Sequence, residues 1–217
     1  MVDWAEHARR EEARYRDGEA RLPDAEDQDV RQRQLTRMGN AAAGVGLARL
    51  MGGDTEEARE WFARAVDRYR ESYPLAPPGS WGRPIAILKA RILSGDWDGA
   101  EADAHWTLEQ GADAESPIGR YAGALALLVL GRDEEARVIA EGLRTREDFP
   151  APVGDALAFI AAGDPLAYID AIEAVLESFE TRGDYLEDLP AADTVVVLQA
   201  LAARRDMAAE LSSPLLP

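Results

Sequence analysis

A short phrase recurs along this 217-residue chain: a glycine, then acidic or polar residues, then an alanine about five positions later. The glycines that begin it are Gly53, Gly95, Gly131 and, more loosely, Gly163, so successive copies start 42, 36 and 32 residues apart. A repeat near this length is typical of stacked helical hairpins. The glycine permits the turn, acids favour the start of the second helix, and alanine lets two helix backbones approach closely.

We therefore expect an all-α fold, a right-handed stack of antiparallel helical hairpins. Alanine-rich composition supports helix, because alanine loses no side-chain entropy there. We divide the chain into an N-terminal charged helix and linker (1–27), helical-hairpin repeats (28–183) and a capping C-terminal helix with a tail (184–217), all within one compact domain. The stretch 39–46 holds three glycines, which indicates either close helix packing or a break in the helix.

The repeat resembles the tetratricopeptide repeat. Small and aromatic residues stand at that family's characteristic positions in the first unit, and alanines repeat four apart in the next two: Gly46, Ala58, Phe62, Ala65, Ala100, Ala104, Ala136 and Ala140. The unit length drifts, the linkers are rich in proline, and the family's first-helix aromatic residue and tyrosine are missing. The resemblance implies a tetratricopeptide-like superhelix over about residues 40–183, and it implies no activity.

The end of the chain resembles the ending of the bacterial immunity protein 49 family. The residues that carry this likeness are 198–205, LQALAARR, and 213–217, SPLLP. Members of that family are all-helical proteins predicted to neutralise toxins of polymorphic toxin systems. The resemblance implies a toxin-neutralising role and identifies no functional residue.

The chain is strongly acidic, with 41 acidic against 24 basic residues and a formal net charge of -17. Lys89 is the only lysine. This charge disfavours nucleic acid, whose phosphates require basic residues, and an anionic membrane surface. It favours either halophilic adaptation or a basic protein partner. In the first case, repulsion between the charges is screened over about 3 Å at about 1 M salt, and the compact state is lost below that concentration.

The absence of cysteine excludes disulfides, thiolate catalysis and zinc–thiolate sites. The N-terminus is charged from Asp3 and shows no signal peptide, and no apolar run approaches membrane-spanning length. We expect a cytoplasmic protein without a cofactor or a metal.

The segment 78–84, PGSWGRP, is the longest irregular stretch within the repeats. Trp81 and Arg83 in this loop are candidates for binding a partner or an anionic ligand. The alternative is a linker in which Trp81 fills the core between hairpins.

Carboxylates gather near the predicted last helix. Asp188 is placed to cap that helix, with Pro190 just inside it, while Glu187 and Asp193 lie close in sequence. The same carboxylates are candidates for partner binding, for acid–base chemistry or for a cation site.

Glu101 and His105 are four residues apart on one predicted helix, and Asp98 lies a turn earlier. This spacing suits a ligand or acid–base cluster, and it equally suits a solvated helix face. No phosphate-binding loop, dinucleotide fingerprint or paired-histidine zinc motif occurs.

These residues favour a non-catalytic protein–protein interaction module, with a toxin-neutralising immunity protein as one form of it. Its expected binding surface is the concave face of the hairpin stack together with the Trp81 loop. The alternative is an enzyme or cation-binding protein that uses the carboxylates around Glu187–Asp193, with His105 as a further candidate.

Overall fold

The computed structural model describes residues 2–111, 115–185 and 189–217. Within these ranges it has ten α-helices, two short 3-10 helices and no strand, and 74% of the chain is helical. The all-α prediction is confirmed, and neighbouring helices pack against each other. The right-handed, tetratricopeptide-like superhelix stays a prediction.

The helices follow the sequence signals closely. Their bounds are α1 Trp4–Arg21, α2 Gln28–Met51, α3 Thr55–Ser72, α4 Gly82–Ser94, α5 Trp97–Glu109, α6 Pro117–Val129, α7 Asp133–Arg144, α8 Ala151–Ala162, α9 Pro165–Glu180 and α10 Asp193–Ala203. The 3-10 helices are Leu22–Asp24 and Tyr73–Leu75.

The chain forms two compact units, one built on α1–α4 and the other on α5–α10. Of the later described residues, 184–185 and 189–191 join the first unit, and 192–216 join the second. The division at 27 and 183 into a leading helix, a repeat array and a cap stays a prediction.

Aspartates begin many of the helices. The side chains of Asp3, Asp27, Asp54, Asp96 and Asp164 each accept a hydrogen bond from the backbone N–H three residues later. Each bond satisfies a donor that has no partner inside its helix. The turns before α5 and α7 use Gly95 and Gly131 at φ of 71° and 67°, a left-handed conformation that favours glycine. Local chemistry therefore sets most helix boundaries.

Helix α2 runs without a break through its three glycines. A Cβ on Gly39 would lie 2.7 Å from the Tyr69 ring, and one on Gly46 would lie 2.9 Å from the Phe62 ring. Both aromatic residues are on α3 and are buried. Of the two interpretations of this stretch, close packing is therefore confirmed and the helix break is wrong.

The last helix begins later than the sequence indicated. Pro190 lies outside it, and α10 starts at Asp193 after Ala192, which offers no side-chain cap. Leu189, Ala191 and Ala192 are buried instead, and the Ala192 N–H donates to the Leu215 carbonyl at 2.9 Å. Apolar packing of this segment outweighs the preference of proline for a first helical turn.

Tyr168 of α9, in the second unit, is fully buried, with 0% of its surface exposed. Its hydroxyl donates to Oε1 of Gln199 on α10 at 2.8 Å. Burial raises the pKa of Tyr168 above the ordinary value for tyrosine. The neutral phenol is therefore the form that the fold accommodates.

This burial predicts a specific alkaline sensitivity. A phenol whose folded-state pKa is raised contributes stability that is complete below its unfolded-state pKa of about 10 and is lost as pH rises above it. We expect the unfolding free energy of the wild type to fall more steeply between about pH 9 and 11 than that of Tyr168→Phe. Urea titrations across this range provide the measurement. Equal slopes would show that Tyr168 does not control alkaline unfolding.

Candidate functional site

The segment that carries Trp81 folds against the first unit. Trp81 is 7% exposed and belongs to the core. Gly79 takes a φ of 79°, and the Ser80 hydroxyl donates to the Pro77 carbonyl at 2.6 Å, which turns the chain into α4. The indole therefore packs inside the unit, as in the alternative in which it fills the core.

Arg83, in the first turn of α4, reaches across to α2 and α3. Its Nε donates to Ser72 Oγ at 2.8 Å, and its Nη2 donates to Thr36 Oγ1 at 2.9 Å and also to Gln32 Oε1. The hydroxyls of Ser72 and Thr36 each donate to the backbone carbonyl oxygen of Gln32 at 2.8 Å. We call Gln32, Thr36, Ser72 and Arg83 the Arg83 network.

The Arg83 network holds a cation among neutral groups. Ser72 is 0% exposed and Gln32 is 6% exposed, while Arg83 and Thr36 are half-buried. Partial burial lowers the pKa of Arg83 from its ordinary value, and the guanidinium remains protonated at any physiological pH. Among the described residues, no carboxylate forms an ion pair with Arg83.

The carboxylates near α10 are only partly described. Glu187 and Asp188 lie outside the described residues. Asp193 is the first residue of α10, and its Oδ1 accepts the Thr194 N–H at 2.7 Å. Its side chain is half-buried. The structure thus places Asp193 at a helix start, as the sequence indicated, and gives no geometry for the proposed cluster.

The α5 candidates occupy a solvent-exposed face. Asp98, Glu101 and His105 are all exposed, and Glu101 lies 3.8 Å from the guanidinium of Arg204. Arg204 also stacks over Trp97 at 4.3 Å. The described residues contain no group of three or more His, Asp or Glu side chains arranged to hold a metal ion. In the same part of the chain, no helix combines the length and apolarity needed to cross a bilayer.

Helix α9 carries a surface that motif searches do not identify. Six exposed residues lie on one face of this helix, at spacings of three and four: Leu166, Ile169, Asp170, Glu173, Glu177 and Glu180. Leu166 is 77% exposed and Ile169 is 36% exposed. The helix contains no basic residue. We call these six residues the α9 face.

The carboxylates of the α9 face have no ion-pair partner among the described residues. Glu180 accepts a hydrogen bond from the neutral Ser213 hydroxyl at 2.7 Å. The arginine that follows the helix, Arg182, stacks over Phe179 at 3.7 Å and donates to the Ser178 carbonyl. The available signal in the sequence was the run of acids at helical spacing without an intervening basic residue.

Carboxylates on two other acidic helices, α1 and α3, form ion pairs with nearby arginines. On α3, Glu56 and Glu60 lie 2.6 and 3.8 Å from the arginines three and four residues later, Arg59 and Arg64. On α1, Glu12 pairs with Arg16 at 3.1 Å and with Arg49 of α2 at 2.9 Å. Pairs at these spacings stabilise a helix and cancel its charge. The α9 face therefore differs from α1 and α3 in keeping its charge uncompensated.

Comparisons of the chain with protein-family models, with curated proteins and with solved structures found no significant match.

Proposed function

We propose that this protein is a non-catalytic protein–protein interaction module that binds a basic partner through the α9 face. The observation that carries this proposal is the combination on one helix of two exposed large apolar side chains with four carboxylates that lack counter-ions. Interfaces commonly join an apolar patch, which supplies affinity, to a charged rim, which supplies selectivity.

The α9 face would be an unfavourable surface if it met only water. Like charges three and four residues apart on a helix repel each other by about 0.2–0.5 kcal/mol per pair. Asp170 and Glu173, then Glu173 and Glu177, have this spacing. A partner with lysines or arginines at matching positions would relieve the repulsion when it binds.

The charge of the whole chain supports the same partner. A net charge of -17 creates a long-range field that attracts a basic protein and speeds its encounter. The same field repels acidic proteins, which gives selectivity against them. The α9 face then supplies the local contacts that the long-range field lacks.

Toxin neutralisation is a concrete form of this role. The ending of the chain resembles that of an immunity family, and a toxin with a cationic active face, such as a nuclease, has the charge that the α9 face suits. This form requires a toxin gene beside the gene for this protein.

The test compares two pairs of neutralised carboxylates. Affinity capture from native lysate would use the wild type, the double variant Glu173→Gln with Glu177→Gln, and the double variant Glu56→Gln with Glu60→Gln as matched control. Both variants change the net charge equally, but the control removes carboxylates that already pair with arginines, whereas the α9 variant removes carboxylates without counter-ions. We expect the wild type and the control to retain one basic partner, and the α9 variant to lose it at least tenfold.

A second variant tests the contribution of the apolar end of the α9 face to binding. Leu166→Ser should weaken capture of the same partner without changing its salt dependence, because it removes apolar contact and leaves the charges intact. Equal capture by the wild type and both double variants would show that overall charge, and not the α9 face, attracts the partner. That result would overturn the proposal.

A further inference from the structure

The guanidinium of Arg83 has unused hydrogen-bonding capacity. Nε carries one N–H and each terminal nitrogen carries two. The Nε donor is taken by Ser72, and the two Nη2 donors are taken by Gln32 and Thr36. Both N–H groups of Nη1 therefore remain, and no described residue accepts from them.

Nη1 is reachable from solvent. Arg83 is half-buried, and Nη1 is not among the buried polar atoms that lack a partner. The two N–H groups of Nη1 are therefore accessible from solvent to a small molecule.

The charge of Arg83 is balanced differently from that of three other partly buried arginines. Arg49 lies 2.9 Å from Glu12, Arg144 lies 2.5 Å from Asp155, and Arg205 pairs with Asp133. The Arg83 network consists of an amide and two hydroxyls, which orient the guanidinium without neutralising it. A partly buried charge is stabilised most by an opposite charge, and the network provides none.

We propose that Arg83, oriented by Gln32, Thr36 and Ser72, is a binding site for a small oxyanion, a carboxylate or a phosphate, that accepts hydrogen bonds from Nη1. The planar fork of arginine suits such groups, and orientation by three fixed acceptors lowers the entropic cost of binding. The ligand is small because the acidic chain repels extended polyanions. This site is independent of the α9 face, so either proposal can fail without the other.

The test measures binding of inorganic phosphate and of acetate to the full chain by isothermal titration at constant ionic strength. We expect saturable binding of one anion with a Kd of about 1 mM or tighter. The anion that binds distinguishes a phosphate site from a carboxylate site. Arg83→Gln should weaken this binding at least tenfold, and Arg83→Lys should weaken it less, because lysine keeps the charge and loses the fork.

Arg64→Gln is the matched control. Arg64 is an exposed arginine of α3 that stacks over Trp61 at 4.3 Å, and its loss should leave the affinity unchanged. A second readout needs no variant of the network: in nitrogen-15 spectra of arginine side chains, the anion should shift the Arg83 signals and leave those of Arg64 in place. Absence of saturable binding to the wild type, or equal affinity for wild type and Arg83→Gln, would overturn the proposal.

Discussion

Replacing Gly46 with alanine is expected to destabilise the protein by about 1–3 kcal/mol, although alanine is the better helix former by about 1 kcal/mol. The reason is steric. A Cβ at this position would lie 2.9–3.0 Å from three atoms of the Phe62 ring, closer than real Cβ contacts allow. Phe62 is 1% exposed, so the ring has no free space into which it can move.

Two further variants make this expectation specific. Gly82→Ala places the same methyl group where nothing lies within 4 Å, and we expect it to be neutral or stabilising by up to about 1 kcal/mol. Gly46→Ala combined with Phe62→Leu should recover part of the loss, because the smaller side chain makes room for the methyl group. Urea unfolding midpoints measure the stability of all three variants relative to the wild type. If Gly46→Ala proved as neutral or stabilising as we expect Gly82→Ala to be, the close contact between α2 and α3 at Gly46 would be disproved.

Replacing Gln199 with leucine is expected to cost about 1–3 kcal/mol and to free the C-terminal tail. The amide of Gln199 accepts from the Tyr168 hydroxyl at 2.8 Å and from the Ala209 N–H at 3.0 Å, and it donates to the Ala209 carbonyl at 2.6 Å. Leucine keeps the size of the side chain and removes all three bonds. The Tyr168 hydroxyl then stays buried without an acceptor, which accounts for the loss of stability.

The double variant Tyr168→Phe with Gln199→Leu separates the two effects. It removes both polar partners from the buried contact, so its stability should exceed that of Gln199→Leu alone. Hydrogen exchange at the Ala209 amide should be fast in both variants and slow in the wild type, because the Ala209 N–H donates to Gln199 and a leucine side chain offers no acceptor. Wild-type stability of Gln199→Leu, together with slow hydrogen exchange at Ala209 in that variant, would contradict this account.

Helix boundaries were the most predictable part of this protein. The sequence predicted acids at helix starts, and in the structure the acid after each of Gly53, Gly95 and Gly163 caps a helix, because capping bonds join residues only three positions apart. The predicted start of α10 at Pro190 was wrong by three residues. Apolar packing of the neighbouring residues keeps Pro190 outside the helix, despite the preference of proline for a first helical turn. The three-glycine stretch of α2 was ambiguous until Tyr69 and Phe62 were located against it.

The candidate sites depended on contacts between residues far apart in the chain. Sequence reasoning selected Arg83, yet its partners Gln32, Thr36 and Ser72 lie 51, 47 and 11 positions away, and no local pattern connects them. It overlooked the α9 face, because acids at helical spacing occur on several helices and only burial and contacts show which of them face water without a counter-ion. The sequence alone established an acidic, cysteine-free, all-α chain, since composition and capping are local properties. The environment of Trp81, the neutral surroundings of Arg83 and the uncompensated charge of α9 follow from tertiary packing, since each is a property of what distant segments place beside a residue.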